Sequence, residues 1–407
     1  MALILFLTIS ILILNYNLIN DIFLIIYNSI IIVFFILFFA PTGKKTKAID
    51  GHCNQRVDER DVIFAREEYT PDSEQYAEYY SMKPENKEID DKIRKLPELF
   101  MPGGRYYRSD MASEIRGMFR KIELLTTKVD GKVNTLVEEC DTKLISEQLI
   151  GEIKKMGAKS VGIAELNPMY VYSHVGRGPE QWGASIMNNH KYVIVFTLEM
   201  DYFHVEKAPL MDITIESARQ YLNGAEISIS IANYIRKLGY PARAHIAGSN
   251  YQIMLPPVAS DAGLGELGRI GYLITNNYGA RVRLGAITTD LPLLTDKPIS
   301  IGIKEFCEKC MKCAVNCPSG AIPKSKIIDI RGVEKWQLNI ERCVRFWRIA
   351  GSDCGICMKV CPFSHPPTFV HNMVRKAIKR SSFARYISIK GDDIFYGRKV
   401  KIKNIEK

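Results

Sequence analysis

Eight of the ten cysteines fall in two runs near the C-terminus, and no other feature constrains the fold as tightly. The runs read Cys307-x2-Cys310-x2-Cys313-x3-Cys317-Pro318 and Cys343-x10-Cys354-x2-Cys357-x3-Cys361-Pro362. The first has the spacing with which thiolates hold a [4Fe–4S] cube while the fourth Cys crosses to a second cube. Eight thiolates are what two cubes need. Crossing predicts one set of Cys307, Cys310, Cys313 and Cys361, and another of Cys317, Cys343, Cys354 and Cys357. Zinc accepts a CxxC pair but has no use for a third and fourth Cys followed by Pro. Disulfides suit small secreted domains, not a chain of 407 residues. The cysteine pattern therefore predicts two [4Fe–4S] clusters and a protein that moves electrons.

The N-terminus has a different composition. Residues 1–40 carry no Lys or Arg and a single acid, Asp21. Ile22–Ala40 is continuously apolar and, at 1.5 Å per residue, matches the roughly 30 Å hydrocarbon core of a bilayer. Ala2–Leu14 is apolar but shorter, so residues 1–40 predict a transmembrane anchor of one helix or a hairpin. A cleaved signal peptide would need a basic start, and a twin-arginine signal an Arg-Arg pair; the sequence has neither. Lys44, Lys45 and Lys47 follow the apolar stretch and place the remainder on the cytoplasmic face of a cell membrane. The formal net charge of +10 gathers partly between Arg375 and Lys407. For an anchored protein its simplest use is attraction to acidic lipid headgroups, a merely solvated face being the equal alternative, and no nucleic-acid partner is expected.

Between these ends the sequence predicts a linker over 41–58, a mixed α/β domain over 59–298, a two-cluster domain over 299–370 and a basic tail over 371–407. Lys191–Thr197 and Arg281–Thr288 read as strands. Ile213–Leu238 reads as a long helix, with apolar residues at helical steps and a stop at Gly239-Tyr240-Pro241. Gly263-Leu-Gly265-Glu-Leu-Gly268 matches GxGxxG, but no strand precedes it and Gly271 interrupts any helix after it. Close approach to a large flat cofactor suits these glycines better than dinucleotide binding. None of the seven histidines has metal-site spacing, and Cys53 and Cys140 read as ordinary thiols.

Several motifs together resemble one family. Ser260-Asp-Ala-Gly-Leu-Gly-Glu-Leu-Gly-Arg-Ile-Gly271, Tyr278-Gly-Ala-Arg-Val-Arg283, Thr289-Asp-Leu-Pro-Leu293 and the two cysteine runs are similar to the corrinoid-dependent reductive dehalogenases (catalytic subunit). So are Cys343-Val-Arg-Phe-Trp347, Gly351-Ser-Asp-Cys-Gly-Ile-Cys357, Asp58-Glu-Arg-Asp-Val-Ile-Phe-Ala65, Glu88-Ile-Asp-Asp-Lys-Ile-Arg94 and Asp392-Asp-Ile-Phe-Tyr-Gly397. The resemblance covers about residues 55–400. It implies an α/β (α+β) fold, with a nitroreductase-like core holding base-off cobalamin beside a ferredoxin-like two-cluster domain. Tyr221 then falls where the family places its proton donor. Arg283 falls at the basic residue beside that phenol, and Asn250 at a polar residue of the substrate pocket. Gly263, Gly265 and Gly268 would lie against the corrinoid.

The expected reaction replaces a carbon-bound halogen by hydrogen, using two electrons and a proton, with an organohalide as substrate and an unnamed electron donor. A phenol of pKa about 10 is a poor acid at neutral pH unless a cation stabilises its anion. Two other readings fit parts of the chain. An epoxyqueuosine reductase-like tRNA-modifying enzyme would use the basic tail but has no need of an anchor. A non-catalytic membrane ferredoxin would use clusters and anchor but leaves the middle of the chain without a task.

Overall fold

The computed structural model describes residues 21–43, 53–248 and 251–400. The first element is helix α1, Asp21–Phe39, with side chains described from Leu24 onward. Among the described residues no helix is long and apolar enough to cross a membrane, so the expected span does not emerge from this part of the chain. Residues 1–20, which carry the rest of that expectation, and residues 44–52 of the expected linker lie outside the described residues.

Short helices between Glu59 and Arg94 open the body of the chain. They bury Tyr69, Tyr76, Tyr79 and Tyr80 together, and dock on a later helix through Ile63, Ile93 and Val344. Helix α2 (Ser109–Leu125) and helix α3 (Thr142–Lys155) follow. Next come strands β1 (Ser160–Glu165) and β2 (Tyr192–Glu199), helix α4 (Met211–Lys237), and strands β3 (Ala242–His245) and β4 (Val282–Thr289).

The four strands form one sheet in the order β1-β2-β4-β3, and each neighbouring pair is antiparallel. β2 is rich in β-branched and aromatic residues and is buried along its middle, as a central strand must be. Its side chains alternate between faces. Ile194, Phe196 and Leu198 join a core with Ile229, Ala232 and Ile235 of α4. Val193 and Val195 join a core with Leu255, Val258 and Ala259 of a short helix on the other side. The sheet is thus covered on both faces, with α4 across one of them.

α4 ends where the sequence predicts. Gly239 follows its C-cap at φ +89°, the left-handed conformation that terminates helices. A Cβ there would lie 2.5 Å from the carbonyl oxygen of Leu136. The GxGxxG stretch differs from a dinucleotide turn: it follows the helix Leu255–Asp261 and leads into the two-residue strand Glu266–Leu267.

After the sheet come helices α5 (Ile303–Cys310), α6 (Ile340–Ala350), α7 (Phe369–Ile378) and α8 (Ser382–Tyr396). The last two correct the expectation of a basic tail over 371–407. Residues 369–396 are a helical hairpin built into the cluster domain, because alternate sides of each helix are apolar and buried. Residues 401–407 lie outside the described residues.

Gly239→Ala should lower stability by about 1–3 kcal/mol, since an L residue at positive φ is strained and its Cβ meets backbone. Chemical denaturation of the cluster-loaded protein checks this, and an unchanged midpoint would remove Gly239 as the reason α4 stops.

Candidate functional site

Two cavities are walled by the cysteine runs. One is lined by Cys307, Cys310, Cys313 and Cys361 with Arg269, Phe306 and Phe363. The other is lined by Cys317, Cys343, Cys354 and Cys357 with Tyr272, Arg283, Trp347 and Asp353. Each cavity takes three sulfurs from one run and the fourth from the other run, which is the division crossing requires. The set containing Cys307 is called outer below and the set containing Cys343 inner, because only the latter shares its wall with Arg283.

All ten cysteines are free thiols. Among the described residues no three His, Cys, Asp or Glu side chains close on a single metal ion; the sulfurs surround a volume, as a cube needs and a zinc site does not. Burial pushes the Cys310 and Cys343 thiols up to about 12. Iron must therefore supply the charge that stabilises their thiolate forms.

The protein holds the cradles with buried cations bonded to backbone. Arg269 donates to the carbonyl oxygens of Cys307, Pro323 and Ser325 at 2.8–3.1 Å, while its guanidinium stacks on Trp336 at 4.6 Å. Gly268 makes room for the Ile274 side chain, since a Cβ there would lie 2.7 Å from Ile274 Cγ1, with Cys307 Sγ in ordinary contact at 3.7 Å. At Gly263 and Gly265 the close approach is to the carbonyl oxygens of Lys297 and Ile274, so those two glycines make room for the chain's own backbone. On the inner side, α6 carries Cys343 and is bolted to the N-terminal helices by ion pairs Arg348–Glu67 (2.9 Å) and Arg66–Glu341 (2.5 Å).

Tyr221 and Arg283 come together across the elements that carry them. Tyr221 lies on α4 and Arg283 on β4 opposite Leu198 of β2. The guanidinium sits over the phenol ring at 5.0 Å, a cation–π contact. Arg283 Nη2 also donates to Ser217 Oγ at 2.6 Å and pairs with Asp353 at 3.5 Å. Burial works to lower the Arg283 pKa, but the Tyr221 phenol and the Asp353 carboxylate outweigh it and raise it overall. Arg283 is thus a fixed cation. Its Nε is buried with no hydrogen-bond partner, one donor beyond what the chain uses.

Asp353 is the residue before the inner-set ligand Cys354. Its backbone N–H donates to Thr214 Oγ1 at 3.0 Å, and Ser352 Oγ donates to the Pro209 carbonyl at 2.6 Å. The first turns of α4 therefore clamp the loop that carries the cluster ligand. Two further phenols, Tyr272 and Tyr251, interact with the pair, and a third, Tyr172, interacts with Tyr251. Tyr272 interacts electrostatically with Cys357, Cys343, Arg283 and Tyr221, and burial raises its pKa well above the usual range. Burial also raises Tyr251, which faces Tyr221, Arg283, Arg177 and Tyr172, and pushes Tyr172 up to about 12. Arg177 is fixed in turn by the buried carboxylate of Glu59 at 3.1 Å. Asn250 lies outside the described residues.

Sequence reasoning missed Asp353, Ser217, Tyr251 and Tyr272. The only signal for any of them was adjacency, Asp353 to Cys354 and Tyr251 to Asn250.

Cluster loading gives a direct check on the crossing. Cys361→Ala should lower iron and labile sulfide in the outer set while leaving about four irons in the inner one. A loss confined to the set of Cys343, read by electron paramagnetic resonance of the reduced protein, would contradict the division.

Residues 306–365 match the 4Fe-4S dicluster domain family. A tetrachloroethene reductive dehalogenase from Desulfitobacterium hafniense (strain Y51) is 38% identical over 218 residues, 51% of this chain and 39% of that enzyme. An epoxyqueuosine reductase from Escherichia coli is 28% identical over 189 residues, 42% of this chain and 48% of that enzyme. Among solved structures, a catabolic reductive dehalogenase in complex with 3-bromo-4-hydroxybenzoic acid superposes with a TM-score of 0.71 at 26% identity. That match covers 88% of this chain and 49% of the other. The chain spans less than half the length of these curated relatives. Shared sequence, shared fold and the eight-cysteine cradle together make this chain a relative of the reductive dehalogenases, with epoxyqueuosine reductases as more distant kin.

Proposed function

We propose that the chain is a membrane-anchored, corrinoid- and iron–sulfur-dependent reductive dehalogenase. It would carry out R–X + 2 e⁻ + H⁺ → R–H + X⁻, where X is a halogen on carbon. The observation that supports it best is the junction at Arg283: one buried cation touches the candidate proton donor Tyr221 on one side and, through Asp353, the loop of the inner cluster on the other.

The residues present fit a corrinoid. Tyr221, Tyr251 and Tyr272 give an aromatic, apolar surround between the inner cysteines and Tyr172, and the unpartnered Arg283 Nε supplies a free donor there. Tyr251, Tyr272 and Arg283 would hold the group. When bound, it would supply at its cobalt the two-electron chemistry that breaks the carbon–halogen bond.

The chain's own part divides cleanly. The outer and inner clusters would deliver two electrons singly. Tyr221 would pass its hydroxyl proton to the carbon, and Arg283 over the ring would lower the cost of the phenolate left behind. Asp353 and Ser217 hold Arg283 against that ring. Asn250 would help position the organohalide. Residues 1–40 would anchor the protein, to which α1 contributes the exposed Ile25, Ile30 and Ile36, with the body on the cytoplasmic face.

The full chain, loaded anaerobically with iron, sulfide and cobalamin and driven by a chemical reductant, should release halide from organohalides. Tyr221→Phe should slow release by roughly 10²–10⁴-fold with cobalt and iron contents unchanged. Arg283→Ala should lose less, because the phenol remains. Turnover of Tyr221→Phe at the parent rate would remove the proton-donor role. Loaded protein that binds tRNA and releases no halide would turn the reading to the epoxyqueuosine reductases, and protein that retains no cobalt would turn it to an electron relay.

A further inference from the structure

The hairpin of α7 and α8 has two faces with different tasks. Its inner face builds the outer cluster's surroundings. Arg375 donates to the carbonyl oxygens of Phe363 and His365. Asp392 is bound by His365 Nε2 at 2.7 Å and by Lys312, which lies between Cys310 and Cys313. Ile378 and Ile389 share a core with Cys310 and Cys313.

The outer face runs along helical steps of three and four: Val370, Val374 and Ala377 on α7, and Phe383, Ile387, Lys390 and Ile394 on α8. One end of this face seats α1. Phe38 packs on Ala377 and Ala384, with Val374, Phe383 and Ile387 around it. Phe34 meets Phe383 edge-on at 5.7 Å, and Ser381 Oγ donates to the Leu37 carbonyl at 2.8 Å.

Beyond α1 the face is bare, with Ile394 79% and Val370 46% exposed and Phe369 and Phe395 at its margins. Arg380 at its flank and Lys390 on the face itself are exposed. The acids of α8 add no negative charge to this surface, because Asp392 is buried and Asp393 is paired with Arg398. An apolar stripe with basic residues on and beside it is the pattern that lies in the interface of an anionic bilayer, where Lys and Arg reach headgroups while apolar side chains sink to the acyl boundary.

We propose that the outer face of the α7–α8 hairpin rests on an anionic membrane, continuous with the surface α1 presents to it. The hairpin then lies flat as a platform, and the outer cluster stands one helix thickness, about 10 Å, above the lipid. This rests on the anchoring reading, so the test separates the two.

The full cluster-loaded chain is mixed with vesicles of phosphatidylglycerol and phosphatidylcholine with brominated acyl chains. Flotation reports anchoring alone. The indole introduced by Ile394→Trp should shift to the blue and lose roughly half its emission to the bromines, over the background of Trp182, Trp336 and Trp347. One introduced by Leu136→Trp, exposed beside the end of α4, should not. Protein that floats while Ile394→Trp stays unquenched overturns the platform and leaves the anchor. Protein that does not float overturns both. Sedimentation in detergent showing a dimer abolished by Ile394→Asp would reassign the face to a second copy of the chain.

Discussion

Cys317 belongs by sequence to the first run yet lines the cavity of the second, and Cys361 does the reverse. Neither loop can reach its working shape alone, because each cavity is closed by a sulfur that the other run delivers. This exchange fixes the short helices Lys312–Asn316 and Ile356–Lys359 against each other, and the rest of the domain is arranged around that junction. The interior it creates is apolar, which is why burial holds the thiols protonated until iron replaces the proton. Arg269, Lys312 and Arg375 are buried on the same side. Arg269 bonds to backbone carbonyls, Lys312 to the Asp392 carboxylate, and Arg375 to two backbone carbonyls and Asn372 Oδ1, so positive charge surrounds the outer sulfurs.

A second constraint sits where this domain meets the sheet. Arg283 is an always-charged, largely buried side chain, and three groups from two segments keep it there: the Tyr221 ring and Ser217 Oγ of α4 and the Asp353 carboxylate of the cluster loop. Removing the carboxylate would strand the cation, at a cost of about 3–5 kcal/mol for a buried pair broken on one side. The proton chemistry proposed for Tyr221 therefore depends on the inner cluster loop being folded. On the proposed reading, electron delivery and proton delivery would converge on one residue.

What could be read from the sequence followed from chain chemistry that needs no partner. Thiolate spacing exposes the clusters because iron geometry sets it. The strand at 192–199 is visible as a continuous β-rich run of the kind buried in a sheet, and the helix at 211–237 through its period of about 3.6 residues. Gly239 is legible because only a left-handed residue ends a helix there. The failures share the opposite cause. Tyr251 and Tyr272 look like core aromatics, and their significance comes from what the fold sets beside them. The α7–α8 hairpin reads as a basic tail because its apolar positions are split between two faces, so neither dominates the composition. Gly263 and Gly265 matched a ligand-binding pattern, whereas the space they leave is filled by neighbouring main chain.

β4 carries one further consequence. Two residues apart on the chain, Arg281 reaches the carbonyl of Ser364, just past the last outer ligand, and Arg283 reaches Asp353, just before an inner one. The central sheet is thereby fastened to both cluster loops by one residue just before β4 and one just inside it. Oxidative loss of either iron centre would not stay local: it would loosen a loop tied to the middle of the hydrophobic core. In a cell, exposure to air would then register as faster clearance of the whole polypeptide by quality-control proteases, and not as a pool of intact but inactive protein.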